Sequence, residues 1–172
     1  NHPEEGGTII VEKDVHPSEQ MITGIAGKKN FTVIAIYKNH MSDEVGIIRR
    51  ALEICENYRI SIEHIPSGID SFSIVVNSED VKDIIYDMVG DMKKACNADE
   101  IKIIDNISLI ATVGRQMMYR PGISGKLFAV LGKNNINIRM IAQGTDEMNI
   151  IVGVENKDYE KTVETIYNNF VV

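Results

Sequence analysis

Displaced by 76 positions, the sequence falls on itself without a gap. Ile34 meets Ile110, Ala35 meets Ala111, Met41 meets Met117, Gly46 meets Gly122, Ile60 meets Ile136, Ile62 meets Ile138, Ile65 meets Ile141, Gly68 meets Gly144, Asp70 meets Asp146 and Ile74 meets Ile150. Isolated isoleucines align by chance, but two glycines and an aspartate in the same register point to a duplicated structural unit. A duplication limits the fold to whatever one copy can build twice.

In the first copy, "NFTVIAIYK" (residues 30–38) is short and rich in β-branched and aromatic residues and predicts a strand. Ile48, Ala51, Leu52 and Cys55 follow at i, i+3, i+4 and i+7, one face of a helix. "RISIEHI" and "SFSIVV" alternate around Ser67-Gly68-Ile69-Asp70, which predicts a hairpin. Val81, Ile84, Ile85, Met88 and Met92 form a second helical stripe, and "EIKIID" closes with a strand. The order is βαββαβ, an α+β unit of ferredoxin-like plan with helices on one face of an antiparallel sheet.

The second copy repeats a strand (107–114), a helix (Leu127, Phe128, Leu131), hairpin strands (136–142 and 148–154) and a helix (Tyr159, Val163, Ile166, Tyr167, Phe170). It then ends where the first copy has a closing strand. An uncovered sheet edge is a liability, and "MITGIA" (21–26) is a strand without a role in the first copy. The expected organisation is therefore a first unit over 28–106 inserted into a discontinuous second unit, 21–27 plus 107–172. Residues 1–20 fit neither and read as the tail of a preceding domain, the chain being a piece of something longer.

A formal net charge of −7 and a pI near 5.1 exclude nucleic acid and anionic membrane surfaces as partners. No apolar run approaches the roughly 20 residues of a membrane span. Cys55 and Cys96 make no disulfide framework, and no signal-like segment is present, so a reduced cytoplasmic setting is expected. His2, His16, His40 and His64 lack metal-ligand spacing. Gly6-Gly7-Thr8 lacks phosphate-loop spacing, Cys55 sits on an apolar helix face, and the charged run 155–161 reads as a solvated helix start. No catalytic residue and no metal site are predicted.

The loop "KNHMSDEVGII" stands out instead. Gly46 permits close backbone approach, and the free N–H groups of the following helical turn suit a carboxylate. The competing reading is an ordinary cap, with Ser42 or Asp43 satisfying those donors. Ser61, Ile62 and Glu63 are expected beside this loop, Glu63 serving either an amine or solvent.

At this point the sequence resembles a known family. A βαββαβ tandem with glycine at the first loop–helix junction resembles ACT domains. "ITGIAGKKNFTVIAI", "HIPSGIDSFSIVV" and "GRQMMYRPGISGKLFAVLGKNNINIRMIAQGTDEMNIIV" are similar to the paired ACT regulatory region of aspartate kinases, over residues 21–170. "NHPEEGGTIIV" resembles the end of that family's catalytic domain. The family's Lys-Phe-Gly-Gly-Thr-Ser motif is absent, so the chain itself is expected to be inactive. The "HIPSGID" form, with no dehydrogenase following, looks most like monofunctional lysine-sensitive enzymes.

The resemblance implies feedback control of ATP-dependent, Mg-assisted phosphorylation of aspartate, with no cofactor in this chain. It implies a homodimer with the effector at the interface between first units. Carried over by position, Met41, Glu44, Gly46, Ile47 and Ile48 come from the loop and helix start, and Ser61, Ile62, Glu63 and Gly68 from the hairpin. Glu44 and Glu63 would hold a lysine ammonium and the N–H groups of Gly46, Ile47 and Ile48 its carboxylate. Pro66 and Gly68 stand where lysine-binding relatives often carry hydroxyls, which keeps threonine open as effector. In the second unit Arg139 stands where Glu63 stands in the first, so Pro121 and Gly122 imply packing rather than a second site. Two alternatives are a ligand domain of a transcription regulator, for which no DNA-binding segment is visible, and a ligand-free dimerisation module.

Overall fold

The computed structural model describes residues 22–114, 117, 120–144 and 148–171. Its strands are β1 (Gly24–Tyr37), β2 (Ser71–Asn77), β3 (Glu100–Val113), β4 (Met140–Gln143) and β5 (Asn149–Glu155). Its helices are α1 (Ile47–Asn57), α2 (Ser78–Val81), α3 (Ile85–Cys96), α4 (Ile123–Lys133) and α5 (Tyr159–Phe170). All strands pair antiparallel in a single sheet of order β2-β1-β3-β5-β4.

The strands expected at 21–26 and 30–38 are one continuous strand, β1, and those expected at 100–105 and 107–114 are one strand, β3. Each changes partners midway. Residues 31–37 of β1 lie between β2 and the first half of β3, whereas residues 24–28 pair with residues 109–113 of β3, which carries β5 on its other side. Asn30 (φ 68°) and Asn106 (φ 61°) are left-handed at this crossover, where the β1–β3 register shifts. Asparagine tolerates that conformation better than most side chains, and a bulge there turns the sheet. The two copies thus share one sheet bent at a double bulge.

Each half has its own core under its helices. Ile34, Ile36, Ile74, Met88 and Met92 are buried beneath α1 and α3. Ile22, Ile110, Leu127, Val152 and Ile166 are buried beneath α4 and α5. A third cluster, Phe31, Val33, Val75 and Ile107, occupies the other sheet face. This is why "FTVIAI" is apolar but for Thr32: residues 31–36 are buried on both faces.

The structure corrects the gap-free repeat. Ile34 faces Ile74, but its equivalent Ile110 faces Val152, so the third strands are related by 78 positions and Ile150 is the counterpart of Phe72. Buried Met88, Met92 and Cys96 of α3 correspond to Thr162, Ile166 and Phe170 of α5, a displacement of 74. Loops absorb the insertion and the deletion, so the first strand, the first helix and the segment returning from it keep the original register. Asp146 lies outside the described residues.

The first expected hairpin strand is also corrected. α1 and α4 both end with a left-handed residue, Arg59 (φ 58°) and Asn135 (φ 53°). The next N–H groups, of Ile60 and Ile136, reach back to the carbonyls of Cys55 and Leu131 and are unavailable to a ladder. After Ile60 only two isolated bridges form, His64 with Val75 and Ser67 with Phe72; Pro66 between them has no N–H to donate. In the second copy the strand starts at Met140 rather than Ile136. The stripe from Val81 to Met92 is likewise split into α2 and α3.

Candidate functional site

The loop between β1 and α1 is anchored by Met41, which begins a turn of 3-10 helix and is buried in the first core. α1 is capped by Gly46 at φ 83°, with no side-chain hydrogen bond and no acidic residue in its first turn. The Ser42 or Asp43 cap is therefore not made. Helical bonding starts with Arg50 N–H to the Gly46 carbonyl at 3.1 Å, which leaves the donors of Ile47 and Ile48 at the positive end of the helix without a side-chain acceptor. Ile47 is buried and Ile48 packs against the same core.

Glu44 sits between two cations. Lys38 Nζ is 3.1 Å from its carboxylate and the Arg50 guanidinium hydrogen-bonds it from the other side. The Lys38 hydrogen bond, with lesser help from Arg50, holds the Glu44 carboxyl below its ordinary range. Both cations continue to the end of α3: Lys38 donates to Asn97 O at 3.0 Å and Arg50 Nε to Ala95 O at 2.8 Å. Positive side chains there complement the negative end of the α3 dipole. Lys38 and Arg50 were not legible as site residues from sequence; the only signal is a cation on each side of Glu44 around a glycine.

The hairpin residues are placed differently from expectation. Ser61, Ile62 and Glu63 follow directly on the end of α1, because the chain returns antiparallel from that end. Glu63 N–H bonds Val75 O at 2.9 Å, and Val75 is paired with Val33, four residues from Tyr37 and hence roughly 13 Å along the strand from the Gly46 loop. Its carboxylate instead meets Lys28 Nζ at 3.2 Å. Ile62 packs on the first core, Ser61 is exposed, and Gly68 closes the turn by donating to Ser71 O at 2.7 Å. Within one chain, Met41, Glu44, Gly46, Ile47 and Ile48 come together and Glu63 does not join them.

The second junction repeats the backbone but not the charges. Gly122 (φ 92°) caps α4, again with no side-chain bond, and Met117 is buried like Met41. Arg139 lies 3.4 Å from Glu155, which also pairs with Lys157 at 2.6 Å. Among the described residues no cluster of three or more His, Cys, Asp or Glu could hold a metal ion, and no helix is long and apolar enough to cross a membrane.

Comparison with known proteins agrees with this fold. Residues 110–170 match the family model of the ACT domain. The chain is 31% identical over 171 residues to aspartokinase 3 of Bacillus subtilis (strain 168), covering 99% of this chain and 37% of that protein. It superimposes on the crystal structure of Clostridium acetobutylicum aspartate kinase, an allosteric enzyme, with a TM-score of 0.86 and 49% identity, covering 92% of this chain and 37% of that one. This chain is an ACT regulatory region of the aspartate kinase type. E. coli aspartokinase III in complex with lysine and aspartate shares the fold of this ACT region, with a TM-score of 0.79 at 22% identity over 99% of this chain and 37% of that one. The ACT region thus spans little more than a third of the length of these relatives.

Proposed function

We propose that this region is the feedback sensor of a monofunctional aspartate kinase, where lysine binds to control ATP-dependent phosphorylation of the aspartate side-chain carboxylate in the cytoplasm. The observation that carries the reading is the bare start of α1. Gly46 exposes first-turn N–H groups without a capping side chain, and Lys38 and Arg50 lie beside them. That combination seats an α-carboxylate. E. coli aspartokinase III, of the same fold, has been solved with lysine, which supports the choice of effector.

In this reading residues 28–106 are the effector unit, inserted between 21–27 and 107–172, and residues 1–20 end the catalytic domain that binds ATP and Mg. The region itself takes no cofactor. Glu63 lies too far from Gly46 in its own chain to share one small ligand with it, so the site is completed across a homodimer. One chain supplies Met41, Glu44, Gly46, Ile47 and Ile48; the partner subunit supplies Ser61, Ile62, Glu63 and Gly68. Binding then favours one arrangement of paired units through differential affinity.

Threonine is the second reading, favoured by Glu44: with Lys38 and Arg50 already on its carboxylate, it offers little to a distal ammonium, leaving that task to Glu63. A thermal-shift panel of the twenty amino acids with sedimentation tests both. Lysine is expected to raise the melting temperature of a dimer most. A stable monomer that no amino acid stabilises would overturn the proposal, and a response to threonine alone would favour the second reading.

A further inference from the structure

The double bulge joins the two halves of the sheet, and each half brings the same device to it. In the first, the hydroxyl of Thr32, a residue 2% exposed, lies 2.9 Å from Ser78 Oγ and 2.7 Å from Asp105 Oδ1. An ionised carboxylate only accepts, so Thr32 donates to Asp105 and accepts from the Ser78 hydroxyl. In the second, Ser108, fully buried, donates to Asn156 Oδ1 at 2.7 Å. Ser78 and Asn156 are equivalent, each following directly on a strand of identical burial pattern, β2 or β5. Thr32 and Ser108 are equivalent by the 76-residue displacement.

Each pin also crosses to the other long strand. Asn156 Oδ1 accepts the Asn30 N–H at 3.3 Å and its Nδ2 donates to Asn30 Oδ1 at 2.8 Å, so one side chain bridges β3 and β1. Asp105, next to left-handed Asn106 on β3, makes the opposite link to β1 through Thr32. A bulge is where a sheet most readily changes twist, and here both strands of the crossover are bulged. Leaving a buried hydroxyl unpaired is costly, so Thr32 and Ser108 resist any change of sheet angle that would break these bonds.

We propose that the Ser108–Asn156–Asn30 clamp, in which Asn156 of the second half holds Asn30 of the first, locks the halves of the sheet into one cooperative body and relays a change of shape in the first half to the second. Thr32–Ser78–Asp105 braces the first-half side of the double bulge. The locking stands on the geometry alone; the relay rests on the effector reading above. Asn30, Ser78, Asp105 and Asn156 are positioning residues, removed from the Gly46 loop.

Amide hydrogen exchange on the 172-residue chain, without added amino acid, tests the lock. In the parent, the slowest amides of β2 and β5 are expected to exchange through one opening at matching rates. In Asn156→Ala those of β5 are expected to exchange roughly tenfold faster than those of β2. Asn30→Gly keeps the left-handed backbone and removes only the side chain from the clamp; it is expected to shift the ratio the same way, and is decisive if Asn156→Ala does not fold. Asn106→Gly, at the equivalent bulge, is expected to leave the ratio as in the parent. Separate openings in the parent, or parental ratios in both clamp variants, overturn the lock. Adding lysine tests the relay: exchange in β5 is expected to slow in the parent and not in Asn30→Gly. Slowing confined to β2 in the parent overturns the relay. Absence of any lysine effect overturns the effector reading and with it the relay, while the ligand-free ratios still decide the lock.

Discussion

Glu44 and Lys38 stand 3.1 Å apart at the mouth of the Gly46 loop, and the same ammonium bonds the Asn97 carbonyl at the end of α3. The loop is therefore tied to α3 before any ligand arrives. Asp43 and Glu44 lie in the loop, and Asp99 accepts the Asn39 N–H at 2.7 Å. Lys38 and Arg50 are thus set among three carboxylates, and the bare N–H groups of α1 are what favours a ligand carboxylate there.

Two substitutions separate the ends of the effector. Lys38→Gln removes charge from the carboxylate end and is expected to weaken lysine and threonine alike. Glu63→Gln keeps shape and removes the charge proposed to hold a distal ammonium, so lysine binding is expected to fall by about 1.5 to 3 kcal/mol, the range for a charged hydrogen bond, with threonine barely affected. Calorimetry on the two variants with both amino acids checks this. Equal lysine affinity in the parent and Glu63→Gln would remove Glu63 from the site.

Glu44 also makes a pH prediction. Its carboxyl is lowered from 4.5, chiefly by the Lys38 hydrogen bond. A depressed carboxyl contributes stability that is present above its unfolded value and lost as pH falls through the folded one. Glu44→Gln is therefore expected to be less stable than the parent at pH 7, with the difference vanishing in acid. Urea midpoints at pH 7 and pH 3 measure it; a difference unchanged between them would mean the pair adds nothing on folding.

The helix-capping glycines predict a contrast of site and scaffold. A Cβ on Gly46 would meet nothing nearer than an Arg50 nitrogen at 3.8 Å, and one on Gly122 nothing within 4 Å. The cost of alanine is then the left-handed backbone alone, about 1 to 2 kcal/mol at each. Stability is expected to drop equally in Gly46→Ala and Gly122→Ala, whereas amino-acid affinity is expected to change only in the first. Chemical denaturation and calorimetry on both variants decide it. A loss of affinity in Gly122→Ala as large as in Gly46→Ala would assign ligand to the second junction too.

The fold was legible where periodicity and packing agree. Ile48, Ala51 and Leu52 announce α1 because burial on a face leaves a repeating apolar signature, and "FTVIAI" announces a strand as a short, β-branched run buried on both faces. The irregular returns were not legible: Ile60 and Ile62 alternate like a strand, yet the N–H of Ile60 belongs to the end of α1, a commitment made by left-handed Arg59 and unmarked by any glycine. The crossover was hidden for a similar reason, since Asn30 and Asn106 read as turn residues between strands rather than bulges within them. At the site, Gly46 was legible because the need for a positive φ selects glycine. The partners of Glu44 and Glu63 were not, because ion pairs at sequence separations of 6 and 35 leave no local pattern.

A last prediction compares two threonines buried in the same sheet. Thr112 is fully buried and its Oγ1 has no hydrogen-bond partner, while Thr32, nearly as buried, bonds both Ser78 and Asp105. A desolvated hydroxyl without a partner costs about 1 to 3 kcal/mol in a protein interior. Valine replaces it with a methyl of similar shape and no such cost. Thr112→Val is therefore expected to stabilise the chain by about 1 kcal/mol, part of the gain being offset by imperfect repacking. Thr32→Val removes the donor to Asp105 and the acceptor of Ser78, so the same substitution is expected to destabilise by about 1 to 3 kcal/mol. Urea denaturation of both variants at pH 7 reads the two signs directly. If Thr112→Val destabilises as much as Thr32→Val does, the Thr112 hydroxyl has a partner in solution, and the second core is wetter beside β3 than the packing of Ile110 and Ile150 implies.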